Sequence, residues 1–410
     1  MQDKKTPRQF TFKEKLAALG PGFLICGSFI GPGTVTSSTR AGAGYGYTLL
    51  WCIVFSVIAV IVTQGMAARL GVVTQKGLAE NLQDYFADSP FIRNVLVTLV
   101  ALAIAIGGFA YMGGDLTGTA LGISALTGVP TNIVAPIWGA CILVLLSGKG
   151  DSLKYLEKLL GACVVIMALV FLITMFVVKP DLGALFGGLV PHVPDGALMT
   201  CLALIGTTVV PYNMFLHAAS AKRTWHSAEE LPLCSFGTTI PMIIGGIVTG
   251  SIMITSAAVM HGMTVRNALD MAIQLEPTLG SMAEPFMAVG LVAAGVSSAV
   301  CTPIGVSYVL AGLWGWKTDR SDKRFFATNV AVLVTGIVIA ALGTNPIALI
   351  MAAQAVNGIV LPVVVGVTVY LTCSGKLMGE YKNGTIATVL GGLIFLISLY
   401  LGLSSVISLF

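Results

Sequence analysis

The chain has 410 residues, of which 56% are apolar and 10% charged, with a formal net charge of +4 and a mean hydropathy of +0.92. Soluble domains carry about 25% charged residues, so this composition excludes a soluble globule and reads as a polytopic helical membrane protein. The small positive charge calls for no nucleic-acid partner, since basic residues beside membrane spans account for it.

Residues 1–18 form a polar, basic head with no cleavable signal, expected to stay in the cytoplasm. Apolar runs of about 20 residues follow, each long enough to span a bilayer. Eleven are expected, at 19–42, 48–70, 95–125, 132–147, 156–178, 197–219, 233–258, 282–314, 326–343, 346–372 and 385–409. Two are interrupted alike, by Ile30-Gly31-Pro32-Gly33-Thr34 in the first and Val209-Val210-Pro211-Tyr212-Asn213 in the sixth. In hydrocarbon an unwound backbone survives only where it lines a cavity or binds something. A matching break in each half points to an inverted repeat with its site at the midplane. Counted loop by loop, 19 of the 22 Lys and Arg residues fall on the side of the head, and only Arg40, Lys179 and Arg266 on the other. That asymmetry predicts a plasma (inner) membrane protein with its N-terminus in the cytoplasm and its C-terminus outside.

The eight cysteines (Cys26, Cys52, Cys141, Cys163, Cys201, Cys234, Cys301, Cys373) lie scattered in or beside apolar spans, without CxxC or metal-finger spacing. They read as packing residues, and no cofactor is expected. His192 and His261 fall in outer loops, His226 in an inner loop and His217 one turn beyond the second break. With no HExxH, Walker loop or nucleophile–base pairing, an enzyme is not expected.

Of 18 acidic residues, Glu157 and Glu284 stand at the first turns of expected spans, and only Asp115 lies deep within one, in Gly113-Gly114-Asp115-Leu116-Thr117-Gly118-Thr119. A charge there costs at least about 2.5–3.5 kcal/mol, so an intramembrane acid is read as functional, and a proton carrier is the expected role. Tyr111 and Thr119 lie at i−4 and i+4 on its helix face. The other reading is a buried, protonated acid bonded to a neighbouring helix.

The segments around both breaks resemble the NRAMP family of divalent-metal transporters. Leu19-Gly20-Pro21-Gly22-Phe23, Ala67-Ala68-Arg69-Leu70-Gly71-Val72-Val73-Thr74, Asn213-Met214-Phe215-Leu216-His217, Leu291-Val292-Ala293-Ala294-Gly295, and Gln354 before Leu361-Pro362 carry the likeness, in order, from about 16 to 372. The resemblance implies an all-α, LeuT-type fold of eleven transmembrane helices with spans one and six unwound at the midplane. Its inverted repeats would cover 19–178 and 197–372, with 385–409 appended. One chain can then form a complete site, and a monomer is the expectation.

In the family the first break reads Asp-Pro-Gly-Asn and the second Met-Pro-His-Asn, and the Asp, Asn and Met side chains hold the metal. Here those positions are Gly31, Thr34 and Val210, and the His position is Tyr212. The family's proton route carries a Glu at the position of Asp115, and another acid one turn earlier is replaced here by Met112. Lost with these changes are the only anion at the break and the soft sulfur that favours transition metals.

What remains is uncharged: Ser28, Thr34, Thr36 and Ser37 on span one, Thr207, Thr208, Tyr212 and Asn213 on span six, Gln354 and Asn357 on span ten. About half of these are expected only to bond backbone or neighbouring helices. The preferred expectation is an importer of a small neutral polar organic solute, such as a purine, coupled to protons through Asp115 with His217 nearby. Its binding set would be Ser28, Gly31, Thr34, Thr207, Val210, Tyr212, Asn213, Gln354 and Asn357, with no metal site and Tyr212 or Phe215 stacking on the ring. The alternative is an uncoupled Mg²⁺ or Mn²⁺ transporter that holds a largely hydrated ion, since Mg²⁺ dehydrates reluctantly. A proton-coupled Mn²⁺/Fe²⁺ transporter ranks below both. The expected partners are thus a small-molecule substrate, protons and the lipid bilayer.

Overall fold

The computed structural model describes residues 10–147, 152–318, 321–343 and 345–407. The first nine residues of the expected head, and residues 408 and 409 of the last expected span, lie outside the described residues. Among those described, all regular structure is helical. Eight helical segments are long and apolar enough to cross a membrane. The pair Phe12–Gly27 and Pro32–Tyr45, bent by 67°, makes a further broken span, and the shorter apolar helices Thr131–Val144 and Gly161–Val177 stand where spans four and five are expected.

The helices are α1 (Phe12–Phe29), α2 (Pro32–Tyr45), α3 (Leu50–Thr74), α4 (Leu78–Tyr85), α5 (Pro90–Thr127), α6 (Thr131–Ser147), α7 (Ser152–Val177), α8 (Leu182–Gly187) and α9 (Leu198–Thr208). They continue as α10 (Pro211–Thr224), α11 (Leu231–Met260), α12 (Ala268–Ala272), α13 (Glu276–Leu279), α14 (Ala283–Trp314), α15 (Lys323–Leu342), α16 (Pro346–Cys373), α17 (Gly375–Met378) and α18 (Thr385–Ile407). Span one is α1 with α2, and span six is α9 with α10.

Hydropathy places the start of span one at 19, but α1 begins at Phe12. A reciprocal capping box between Thr11 and Glu14 starts it there, satisfying two orphan amides ahead of a charged first turn that a hydropathy pattern does not register. At the other end of the bundle's connections, Asp322 caps α15 through Arg324 N at 2.9 Å and pairs with the Arg324 guanidinium at 2.8 Å. The hydrogen bonds from Arg324 hold its carboxyl well below the ordinary carboxylate range.

The long helix α5 runs through the centre and meets several neighbours at its glycines. Gly113 lies against Ile339 of α15, Gly114 against Ala353 of α16, and Gly122 against the Ala288 carbonyl of α14. Close backbone approach of this kind is how membrane helices associate without a hydrophobic drive between them. A further close approach involves Pro32, the first residue of α2. Its ring occupies the space that a Cβ would need at Gly118 of α5 and lies 3.1 Å from the Cβ position of Gly295 of α14, where Thr119 Oγ1 is nearer still.

Candidate functional site at the paired helix breaks

Each break follows from proline chemistry. Pro32 and Pro211 stand at the first positions of α2 and α10, where a missing amide N–H is tolerated. The carbonyls four residues earlier, of Ser28 and Thr207, therefore have no helical donor. Gly31 and Val210 are extended N-cap residues, with φ −112° and −75°. Thr34 repairs part of the gap by donating to the Phe29 carbonyl. Its Oγ1 also lies 2.8 Å from Thr207 Oγ1, so one hydroxyl pair joins the two broken spans.

Asp115 is fully buried on α5 and turned toward the first break. Its Oδ2 accepts from Ser298 Oγ at 2.8 Å and Thr302 Oγ1 at 3.0 Å, both on α14. Tyr212 OH lies 3.2 Å from Thr302 Oγ1, so a hydroxyl chain runs from α10 through α14 to the carboxylate. The other oxygen, Oδ1, has no hydrogen-bond partner among the described residues. It lies 3.9 Å from where a Cβ on Gly31 would stand. A carboxylate thus reaches the first break from a different helix.

Gln354 joins this group. Its amide lies against Gly33 of α2, in space a Cβ there would fill, and its Nε2 is 3.5 Å from the equivalent point on Gly114, beside Asp115. Neither polar atom of this buried amide has a hydrogen-bond partner among the described residues. Such groups cost free energy unless something pairs them.

The remaining expected site residues divide. Gly31, Thr34, Thr207 and Gln354 meet at the breaks with Asp115. Val210 is buried at the N-cap of α10, and Asn213 is buried in its first turn, where its backbone N–H donates to the Val210 carbonyl at 3.1 Å. Asn357 faces Gly107, eight residues from Asp115 and so about 12 Å along the helix. Ser37 and Thr208 donate to their own helix carbonyls, Gly33 at 2.7 Å and Leu204 at 3.1 Å. Ser28 lies in the last turn of α1, and its side chain falls outside the described residues. Thr119, on the expected face of α5, bonds the backbone carbonyl of Asp115 rather than its carboxylate.

His217 stands in a separate buried trio, with Nδ1 3.1 Å from Gln64 Oε1 and Nε2 3.4 Å from Thr238 Oγ1. Sequence reasoning missed Ser298 and Thr302, which hold the Asp115 carboxylate. Their i, i+4 spacing just before Pro303 was the available signal.

A broken-helix pair joined at midspan by hydroxyls, facing one buried carboxylate, defines a polytopic transporter of LeuT-type architecture. The profile of the Natural resistance-associated macrophage protein-like family matches residues 22–408, and the chain belongs to that family. Among its relatives, the divalent metal cation transporter MntH of Yersinia pestis (strain Pestoides F) is 29% identical over 413 residues, 98% of each chain. A structure of the Eremococcus coleocola manganese transporter with an aromatic bis-isothiourea compound superposes with a TM-score of 0.81 at 22% identity, covering 98% of this chain and 89% of that one. MhsT in complex with L-phenylalanine superposes at 0.59 with 15% identity, covering 99% and 100%. These two structural likenesses bear on the fold alone.

The relatives' names correct the expectation of a neutral organic solute: the relative matched over 98% of each chain is named for divalent metal cations. The physical reason the sequence misled is that hydroxyl and amide oxygens serve a hydrated hard ion as well as a heterocycle. The structure also leaves the ring-stacking idea without a free face at Tyr212. That ring is buried edge-on to Tyr111, with centroids 6.2 Å apart at 83°.

Proposed function

We propose that this chain carries a divalent metal cation across the membrane without coupling to protons, and that the ion sits between the two breaks as a hard, largely hydrated species of the Mg²⁺ or Mn²⁺ kind. The observation that carries the reading is the unpartnered Asp115 Oδ1, 3.9 Å from the Cβ position of Gly31. In the family resemblance Gly31 is where the metal-binding Asp stands. The negative charge lost from the first broken helix is supplied here by α5.

The chemistry follows from that single charge. One carboxylate leaves a divalent ion with a net charge of +1, and the family's thioether position is Val210 here. A soft, fully dehydrated ion therefore gains little at this site. A hard ion that keeps much of its water needs only oxygen acceptors around it. Asp115 Oδ1, Gln354 Oε1, the Thr34 and Thr207 hydroxyls and the carbonyls of Ser28 and Thr207 provide them. Asp115 is anchored by Ser298 and Thr302 through Oδ2, which leaves Oδ1 for the ion or its water.

The same reading sets the N-terminus in the cytoplasm and the C-terminus outside, supported by the 19 of 22 basic residues on the side of the head. It takes 19–178 and 197–372 as the two repeats, 385–409 as an added span, and one chain in the bilayer as the working unit.

Purified protein in proteoliposomes tests the proposal through uptake of Mg²⁺ and Mn²⁺ with and without an imposed pH gradient. Saturable uptake of both ions, unaffected by the gradient, is expected. Absence of saturable divalent uptake, or uptake that requires the gradient, overturns it.

A further inference from the structure

The Arg69 motif is not used by the ion site, yet it lines a cavity of about 860 Å³ where α3, α11 and α18 meet. This is the end of the bundle expected to face the cytoplasm. Arg69 donates through Nη2 to Asn383 Oδ1. Asn383 is itself fixed, with its Nδ2 and backbone N–H both donating to Thr372 at 2.9 Å. Among the described residues the guanidinium has no carboxylate partner, and its buried Nε has no acceptor. A cation paired only with a neutral amide, beside a cavity, is a ready anion donor set.

Two further features share the cavity. Helix α18 starts on it, with Gly384, Thr385, Ile386 and Ala387 in its wall. Thr388 N is the first amide of α18 to bond back to a carbonyl, that of Gly384, and no acid stands in the first turn. The amides ahead of it add a positive helix end to the guanidinium. The rest of the wall is mainly apolar, with Val62, Met66 and Leu390 running away from Arg69. An anion-binding end joined to an apolar trough matches an amphiphile rather than a free ion, and basic pockets between helices on the cytoplasmic side bind acidic headgroups.

We infer that this cavity binds an anionic phospholipid of the surrounding leaflet, its phosphate on Arg69 and the α18 N-terminus and an acyl chain along Val62, Met66 and Leu390. The site is independent of the ion site.

The test uses the full chain, delipidated in mild detergent, with native mass spectrometry and thermal unfolding read after addition of phosphatidylglycerol, phosphatidylcholine or inorganic phosphate. Phosphatidylglycerol should be retained and raise the melting temperature; the other two should do neither. Arg69→Gln should weaken retention about tenfold, the equivalent of one charge-assisted hydrogen bond. Because Arg69 also holds Asn383, Thr385→Glu provides a second arm. An acid in the first turn favours the helix yet repels the phosphate, so this variant should fold and lose the lipid. Equal retention of the two lipids, undiminished phosphatidylglycerol binding in folded Thr385→Glu, or an equal response to free phosphate would each overturn the assignment.

Discussion

Asp115→Asn isolates the charge on which the proposed ion binding depends. Asparagine is nearly isosteric and its Oδ1 can accept from Ser298 and Thr302 as Asp115 Oδ2 does, so the fold should survive while the charge is lost. Take an ion near the Cβ position of Gly31, 3.9 Å from Oδ1. At an effective dielectric constant of about 20, a unit pair at 4 Å gains about 4 kcal/mol, hence about 8 kcal/mol for a divalent ion. Desolvation takes back several kcal/mol, leaving about 3–4 kcal/mol. At 1.4 kcal/mol per decade, the variant should bind Mg²⁺ or Mn²⁺ about 100- to 1000-fold more weakly. Isothermal titration on wild type and variant in the same detergent measures this directly. A folded Asp115→Asn protein whose Kd lies within about threefold of wild type, under 1 kcal/mol, would refute the electrostatic argument.

Gly31→Asp should return an acid to the first break. The Cβ position is 3.4 Å from Ser298 Oγ and the backbone is extended, so the variant fits, and a gain of about tenfold or more in Mn²⁺ affinity is expected by titration. On the α2 half of span one, Gln274 Nε2 donates to Thr39 Oγ1 at 2.7 Å and Ser256 Oγ to the Thr39 carbonyl at 2.6 Å. Removing both in Gln274→Ala/Ser256→Ala should favour departure of α2 from α11 by about 1–3 kcal/mol, read as a longer interspin distance between labels on those helices; an unchanged distance distribution counts against a latch. Gly295→Ala sets a methyl against Thr119 Oγ1 and the Pro32 ring, and overpacking of about 1–3 kcal/mol should lower the melting temperature. Because Arg324 keeps Asp322 ionised below its unfolded value, the α15 cap contributes fully above about pH 3.9 and is lost only as pH falls further. Hydrogen exchange at the Arg324 amide should therefore stay protected through mild acid, and loss of protection near neutral pH would contradict the pairing.

The periodic facts of this chain were legible because hydrocarbon imposes them. Spans of the required length and the prolines at the breaks could be read directly, and the family resemblance supplied the topology. The boundary of α1 was hidden, since a capping box works through side chain and backbone amides rather than hydropathy. The site was legible in its glycines and Gln354 but not in its charge. Asp115 is 84 residues from Gly31 in the sequence, and only the crossing of α5 over the break brings them together. The choice of cargo failed for a related reason: a list of neutral donors around the breaks omits the carboxylate that enters from elsewhere.

The close approach at Pro32 has a mechanical consequence. Because Gly118 and Gly295 both lie close against the first ring of α2, any swing of span one would turn about this contact as a pin joint between two arms. Either arm would then swing while the point beside Asp115 stays at one depth in the bilayer. Passage would then come from exchanging which doorway stands open around a stationary resting place, and the cargo need not be lifted by the helix that releases it.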